Sequence, residues 1–181
     1  MPSPRPQVLQ GRSRSPGSGF TLVEVVAVMA IAGILAAVAV PAMSSLAGSR
    51  AAAAQRQVQR DLSYARERAA TTGLRTWVTF STASNAYSIL AEPAGSPGRL
   101  NAVVVGDPGT GRSYAVSLGS DGFAGVAITS VSIGGGAEVG FDWQGRPLTS
   151  AGADLSAPGI VTMTGGRTVT INPGTGLVTV P

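Results

Sequence analysis

One carboxylate lies inside the most apolar stretch of this 181-residue chain. Glu24 is followed by sixteen uncharged residues that end at Val40. A charged side chain at bilayer depth costs at least about 2.5–3.5 kcal/mol, so an acid at such a position indicates a function rather than simple packing. Gly19 lies five residues before it, behind a leader that contains arginines and no acid. This combination predicts a processing site next to an assembly device.

The composition excludes most catalytic chemistry. The chain has no cysteine and no histidine, which excludes disulfides, cysteine-based metal sites and the Ser-His and Cys-His forms of nucleophilic catalysis. We therefore expect a protein that is not an enzyme and that carries no cofactor and no metal ion.

The basic charge is concentrated in the leader. The formal net charge is +4, from 13 arginines against nine acids. Arg5, Arg12 and Arg14 precede Gly19, so removal of the leader leaves ten arginines against nine acids, a net charge of +1. A globally basic nucleic-acid binder is a weak interpretation of such a balance.

The N-terminal region divides into a leader at residues 1–19 and an apolar segment at residues 20–41. As a helix, residues 20–40 would span about 31 Å, which matches a hydrocarbon core of about 30 Å. The arginines precede this segment, so the positive-inside rule keeps the N-terminus in the cytoplasm and exports the rest. An ordinary secretory signal cut after residues 37–39 (Ala-Val-Ala) is the alternative, but its apolar region is normally shorter and uncharged.

The sequence Gly-Phe-Thr-Leu-Val-Glu at residues 19–24 resembles the class III leader junction of type IV pilins and type II secretion pseudopilins. The resemblance implies that prepilin peptidase cuts between Gly19 and Phe20 on the cytoplasmic face. The same enzyme would then N-methylate the new amine of Phe20. It further implies a single-pass protein of the bacterial inner membrane with a periplasmic head, later assembled into a filament with other pilin-like subunits.

Glu24 acquires a physical role once Phe20 is the terminus. A helix that starts inside a membrane has unsatisfied N–H groups and a terminal ammonium. A carboxylate on a neighbouring, axially staggered helix would neutralise that amine and favour assembly. The alternative is that Glu24 stabilises only its own helix through the dipole.

The second half of the helix is predicted at residues 42–73. Pro41 should kink or locally break the helix, because proline lacks the N–H donor, and Gly73 is placed to end it. Apolar residues at spacings of three and four predict one buried face, formed by Met43, Leu46, Ala47, Ala51, Ala54, Val58, Leu62, Ala65 and Ala69. The arginines of this segment lie mainly off that face, which favours a solvated surface or salt bridges between subunits over DNA binding.

Residues 74–181 are predicted to form a β-rich head, which makes the fold class α+β: a long helix packed on one or two antiparallel sheets. Residues 76–80 and 87–90 flank a turn and predict a hairpin. Further strands are expected at 102–105, 113–118, 126–133 and 138–143, and a final meander at 160–163, 167–171 and 177–180. The aromatic residues expected in the core are Trp77, Phe80, Phe141 and Trp143.

Three further segments resemble the GspH/FimT group of minor pseudopilins and minor pilins. They are the helical Leu-x-x-Ala-Arg-x-x-Ala at residues 62–69, the Gly-Arg-Pro element in residues 141–147, and the glycine-containing turn in residues 170–178. The resemblance implies a minor pseudopilin of a type II secretion system, which supports protein transport and could contact secreted cargo. Its alternative is a FimT-like minor type IV pilin in pilus assembly or DNA uptake.

Ligand sites are weakly supported. FimT-like proteins carry a Gly-Arg-x-Arg element at the final turn, where this chain has no arginine, so Arg146 and Arg167 are the residues left as candidate DNA contacts. Phosphate binding normally uses several basic groups. Residues 106–112 resemble a phosphate loop but lack its Gly-Lys-Ser/Thr ending, and no calcium loop pattern is present.

Overall fold

The computed structural model describes residues 20–181, except for the side chains of residues 38–45 and of Asp121. The leader prediction for residues 1–19, including Gly19, lies outside these residues. The chain separates into two compact units that divide between Pro41 and Ala42. One helix supplies the described part of the first unit, and the second unit contains a helical segment and all the strands.

Helix α1 extends over Leu22–Thr72, 51 residues, close to the length expected from the sequence. It ends at Gly73, whose φ of 70° is the left-handed conformation that glycine adopts without strain. The Gly73 N–H donates to the Ala69 carbonyl at 3.0 Å, so the predicted stop is confirmed. The helix is assigned without interruption through Pro41, and the kink expected there stays a prediction.

The side chains of the first unit are exposed from Phe20 to Ala37. They include the large apolar side chains of Leu22, Val23, Val26, Met29, Ile34 and Leu35. No helix within the described residues combines the length and the apolar character that crossing a membrane requires. The transmembrane assignment of residues 20–41 stays a prediction.

The head contains two sheets in which every strand pair is antiparallel. The six-stranded sheet has the order β3-β2-β1-β6-β7, with β4 also paired to β2. Its strands are β1 Thr76–Ser81, β2 Ala86–Ala91, β3 Val103–Val104, β4 Ala115–Ser117, β6 Glu138–Phe141 and β7 Pro147–Leu148. The four-stranded sheet has the order β10-β9-β8-β5, with β5 Ile128–Ser132, β8 Gly159–Met163, β9 Arg167–Ile171 and β10 Val178–Thr179.

The predicted hairpin and meander are both present. Strands β1 and β2 pair from Thr76 opposite Ala91 to Ser81 opposite Ala86. The C-terminal meander is β8-β9-β10, and β5 joins its open edge. The two-residue strand β7 was not expected from the sequence, because it is too short to show alternation. Short 3₁₀ turns complete the head at Arg99–Asn101, Asp121–Phe123 and Thr164–Gly166.

The helix packs against the head through the predicted apolar face, but only from Ala51 onward. The buried residues of this face are Ala51, Ala54, Val58, Leu62, Ala65 and Ala69. Leu46 is 50% exposed and Ala47 is also exposed, so the prediction that they are buried is wrong. The apolar pattern therefore begins N-terminal to Ala51, in a part of the helix that the head does not cover. Met43 lies among the residues whose side chains are not described.

Three of the four aromatic residues predicted in the core are buried: Trp77, Phe80 and Phe141. Trp143 is 62% exposed, so its assignment to the core is wrong. Strand β6 ends at Phe141 and a turn begins at Asp142. The strand therefore ends before Trp143, so the alternation that would bury Trp143 on the same face as Phe141 does not extend to it.

Buried acids fasten the long loop after β2. Glu92 accepts the backbone N–H groups of Arg75 and Gly98, each at 2.8 Å. Glu138 forms an ion pair with Arg99, whose guanidinium lies 5.9 Å from the centre of the Trp77 ring. The loop between β2 and β3 is thus held by two carboxylates that have little contact with solvent.

Candidate functional site

The N-terminal end of α1 is capped by Thr21. Its Oγ1 accepts the Glu24 N–H at 3.2 Å, and its carbonyl accepts the N–H groups of Glu24 at 3.1 Å and Val25 at 3.2 Å. Thr21 and Glu24 have the Thr-x-x-Glu spacing of a capping box, in which the threonine and the acid satisfy each other's N–H groups. The threonine half of this box is present. The Thr-x-x-Glu spacing is visible in the sequence, but the sequence-based predictions did not include a cap at Thr21.

The carboxylate of Glu24 remains unpaired within the described residues. Its N–H is used by the cap, but no hydrogen bond or ion pair links the carboxylate itself to another described group. The side chain is exposed in the first turn of the helix. The carboxylate therefore has only the dipole of its own helix as an electrostatic partner among the described residues and could accept a cation.

An apolar groove surrounds this acid. It is lined by Phe20, Glu24, Val25, Val28 and Met29. Phe20 itself is 81% exposed. Residues three or four positions apart lie on one side of a helix, so Glu24, Val25, Val28 and Met29 form a single surface next to Phe20. This surface has one potential negative charge surrounded by hydrocarbon.

A second set of functional candidates lies where the helix meets the head. The Nε of Arg66 donates to the carbonyl of Gly145 at 3.1 Å. A methyl group on Gly145 would lie 3.0 Å from that Nε. One on Gly176 would overlap the Gly145 carbonyl and lie 3.3 Å from Arg66. The helical motif, the Gly-Arg-Pro element and the final glycine turn thus meet at one place, although the two glycines are 31 positions apart in the sequence.

Comparisons with known proteins support both the N-terminal motif and the fold. Residues 14–40 match the family model of the prokaryotic N-terminal methylation motif. Two solved structures of the minor pseudopilin EpsH from the type 2 secretion system of Vibrio cholerae superpose with TM-scores of 0.52 and 0.53, at 13% identity. They cover 72% and 74% of this chain and 94% and 96% of their own. No curated protein sequence matches the chain significantly.

The chain carries a prepilin-type motif and the fold of a minor pseudopilin. The resemblance drawn from residues 19–24 and the predicted fold class are both confirmed. At 13% identity the structural likeness concerns the fold alone. The role of each residue in this pseudopilin fold therefore follows from its own contacts and not from the structural likeness.

The Gly-Arg-Pro turn of the pseudopilin fold is organised by Asp142. Its Oδ1 accepts the N–H groups of Gln144 at 2.9 Å and Arg146 at 2.8 Å. Its Oδ2 accepts Nε of Arg146 at 2.9 Å, and the guanidinium also lies 3.5 Å from Asp154. The acid therefore stabilises the turn that presents the Gly145 carbonyl to the helix.

The two arginines predicted as DNA contacts have separate partners. Arg146 pairs with Asp142 and Asp154. Arg167, in β9 of the other sheet, donates to Gln55 Oε1 at 3.1 Å and to the Gly48 carbonyl at 3.5 Å. These contacts join each arginine to the pilin-like fold rather than to the other arginine. DNA binding by this pair stays an untested prediction.

Asp61 is a buried acid whose role the sequence did not reveal. It is 3% exposed and accepts the hydroxyls of Tyr87 at 2.5 Å and Tyr114 at 2.9 Å, besides the amide of Gln57. Burial, reinforced by the nearby Asp61 carboxylate, raises the pKa of both tyrosines well above the ordinary value, so both remain donors. The ring of Tyr114 also stacks on Tyr64 at 5.4 Å. This cluster fixes the helix to the six-stranded sheet.

The loop at residues 106–112 has the geometry of a turn rather than that of a phosphate-binding site. Asp107 accepts the Gly109 N–H at 2.8 Å and the Thr110 hydroxyl at 3.0 Å, and these bonds lower its pKa. This is the arrangement of an Asx-type turn. The described residues contain no group of three or more acids placed to hold a metal ion.

Proposed function

We propose that this chain is a minor pseudopilin of a type II secretion system, with a structural rather than catalytic role. Prepilin peptidase cuts between Gly19 and Phe20 and methylates the Phe20 amine. The mature chain crosses the inner membrane once, with its N-terminus cytoplasmic and its head periplasmic. It then joins other pseudopilin subunits in the pseudopilus that supports protein secretion.

The unpaired carboxylate of Glu24 carries this proposal. It lies in the first turn of a helix that follows a methylation motif, on a surface that is otherwise apolar. In a membrane the isolated subunit would bear the cost of this charge and of its own terminal ammonium. Pairing Glu24 with the amine of a neighbouring subunit relieves both costs, so assembly is favoured and the axial register is fixed.

The first test concerns processing. Gly19→Val should leave the precursor uncut in the inner membrane, because a branched side chain at the cleavage position obstructs the peptidase. Immunoblotting of membranes would show one larger species in place of the mature chain. Gly33→Val, at a glycine with open space around it, is the matched control and should be cut normally. Normal maturation of Gly19→Val would contradict the proposed processing site.

The second test separates secretion from pilus function. A strain that lacks the chain should accumulate type II cargo in the periplasm, and the wild-type chain should restore its release. If release is unaffected while pilus-dependent motility or DNA uptake is lost, the chain belongs to a type IV pilus instead.

A further inference from the structure

The pilin-like helix retains positive charge that the head does not neutralise. Residues 42–72 contain five arginines and two acids, a net charge of +3. One of these acids, Asp61, is buried and bound to tyrosine hydroxyls. Acids of the head are committed in the same way, to backbone N–H groups or to local arginines, as the contacts of Glu92, Asp107, Glu138 and Asp142 show.

Two of the arginines face solvent on the side of the helix opposite the core. Arg56 and Arg60 are exposed and one turn apart, and Glu67 is exposed on the same side, seven residues after Arg60. We call these three residues the charged stripe. Arg60 donates to the neutral amide of Gln57, and within the described residues neither arginine lies at salt-bridge distance from a carboxylate. Like charges at this spacing destabilise a helix by about 0.2–0.5 kcal/mol, so the pair is not explained by the stability of the helix.

We propose that the charged stripe docks a helix of a neighbouring pilin-like subunit with the complementary order of charges. The partner would carry two carboxylates one turn apart, about 6 Å, to meet Arg56 and Arg60. A basic group about 10 Å further along would meet Glu67. This proposal rests on the proposed function, because it requires assembly into a filament, and it adds the chemistry that selects a lateral neighbour.

The mixed signs of the stripe favour a protein partner over a phosphate polymer. A nucleic acid or an anionic membrane presents negative charge alone and would meet Glu67 unfavourably. Phosphate binding also gains from several basic contacts, whereas the chain after Gly19 has a net charge of only +1. Complementary charges at the rim of a protein interface contribute chiefly to the choice and register of the partner.

Site-specific photo-crosslinking of the full chain in its own cells tests this inference. A benzophenone amino acid replaces Ser63, which is exposed between Arg60 and Glu67, and in a control strain replaces exposed Ala83 in the β1–β2 turn. The Ser63 reporter should crosslink to a pilin-like subunit at a site flanked by acids. The double variant Arg56→Glu, Arg60→Glu should lower this yield by about tenfold or more.

Matched variants make the result specific. The double variant Arg75→Glu, Arg112→Glu makes the same charge change at two exposed head positions and should leave the crosslink intact. The neutral variant Arg56→Gln, Arg60→Gln should give a smaller loss while the mature chain keeps its normal level. Changing the crosslinked partner's acids to arginine should restore the crosslink to the Arg56→Glu, Arg60→Glu variant.

Two outcomes would overturn the inference. The mature chain could enter filaments without a Ser63 crosslink, or the crosslink could survive both charge reversals. A crosslink that survives while the reversals abolish binding of the purified full chain to short duplex DNA or to phosphatidylglycerol vesicles would assign the charged stripe to a phosphate ligand instead. Failure of the proposed function is distinguished by a separate measurement, because loss of the chain would then leave the release of type II cargo unchanged, whatever the Ser63 crosslink shows.

Discussion

The two units of this molecule satisfy their polar groups in opposite ways. In the second unit, buried acids such as Asp61, Glu92 and Glu138 each have donors within the same chain. In the N-terminal unit, the Glu24 carboxylate has no hydrogen-bond or ion-pair partner among the described residues, and the apolar side chains around it are exposed. The buried acids of the second unit are thus satisfied within one copy of the chain, whereas the described residues provide no partner for the Glu24 carboxylate. Substitutions in the second unit should affect stability, and those in the N-terminal unit should affect assembly.

The largest stability effect is expected at Gly176. Gly176→Ala places a methyl group against the Gly145 carbonyl, at a residue whose φ is +66°. Neither backbone can yield cheaply, because Arg66 and Phe141 close the other sides. We expect destabilisation by about 3 kcal/mol or more, in the upper range for single substitutions.

Tryptophan emission of the full chain during urea unfolding measures this effect, since both tryptophans are in the head. Gly174→Ala is the control in the same turn, where the added methyl group meets only Asn172 at an ordinary distance. Equal stability of the two variants would show that the junction of Arg66, Gly145 and Gly176 tolerates expansion.

Glu24→Ala should have the converse pattern. The full-length Glu24→Ala chain should unfold at the wild-type urea concentration, because the Glu24 carboxylate has no partner among the described residues. Incorporation into filaments should fall by about a hundredfold, if pairing relieves the roughly 2.5–3.5 kcal/mol cost of one charge at bilayer depth. The fraction of the mature chain in sheared or crosslinked filaments measures this. A variant that assembles as well as the wild type would remove the register role of the acid.

Asp61→Asn should moderately lower the unfolding free energy, because it weakens the contact between the helix and the head. The amide keeps the size of the side chain but loses the charge that strengthens the bonds from Tyr87 and Tyr114. Hydrogen bonds to charged groups contribute about 1.5–3 kcal/mol, so we expect a loss in this range. Glu67→Gln removes an exposed charge six residues further on the same helix and should change the unfolding free energy by less than about 0.5 kcal/mol. Similar losses in both variants would mean that the tyrosine contacts contribute little.

The same contrast explains what the sequence could predict. The N-terminal helix, its stop at Gly73 and the first hairpin follow local rules of period, capping and alternation, and these predictions were confirmed. The contacts of Asp61 join residues 26 and 53 positions apart, and no local pattern records them. The meeting of Gly145 with Gly176 is equally non-local. Motif resemblance pointed to both glycine turns, but only the folded chain shows that they touch.

Substitution of Trp143 should have the smallest effect on the unfolding free energy, and it tests whether strand alternation predicts burial at this position. It lies two residues after buried Phe141, yet the Asp142 turn leaves it exposed. Trp143→Phe should therefore change the unfolding free energy by less than about 0.5 kcal/mol, whereas Trp77→Phe should cost more, because Trp77 is buried. The emission of Trp143→Phe should shift to the blue, since only the buried Trp77 then contributes. A large loss of stability with no blue shift would mean that Trp143 is buried in solution, as the alternation of the strand first indicated.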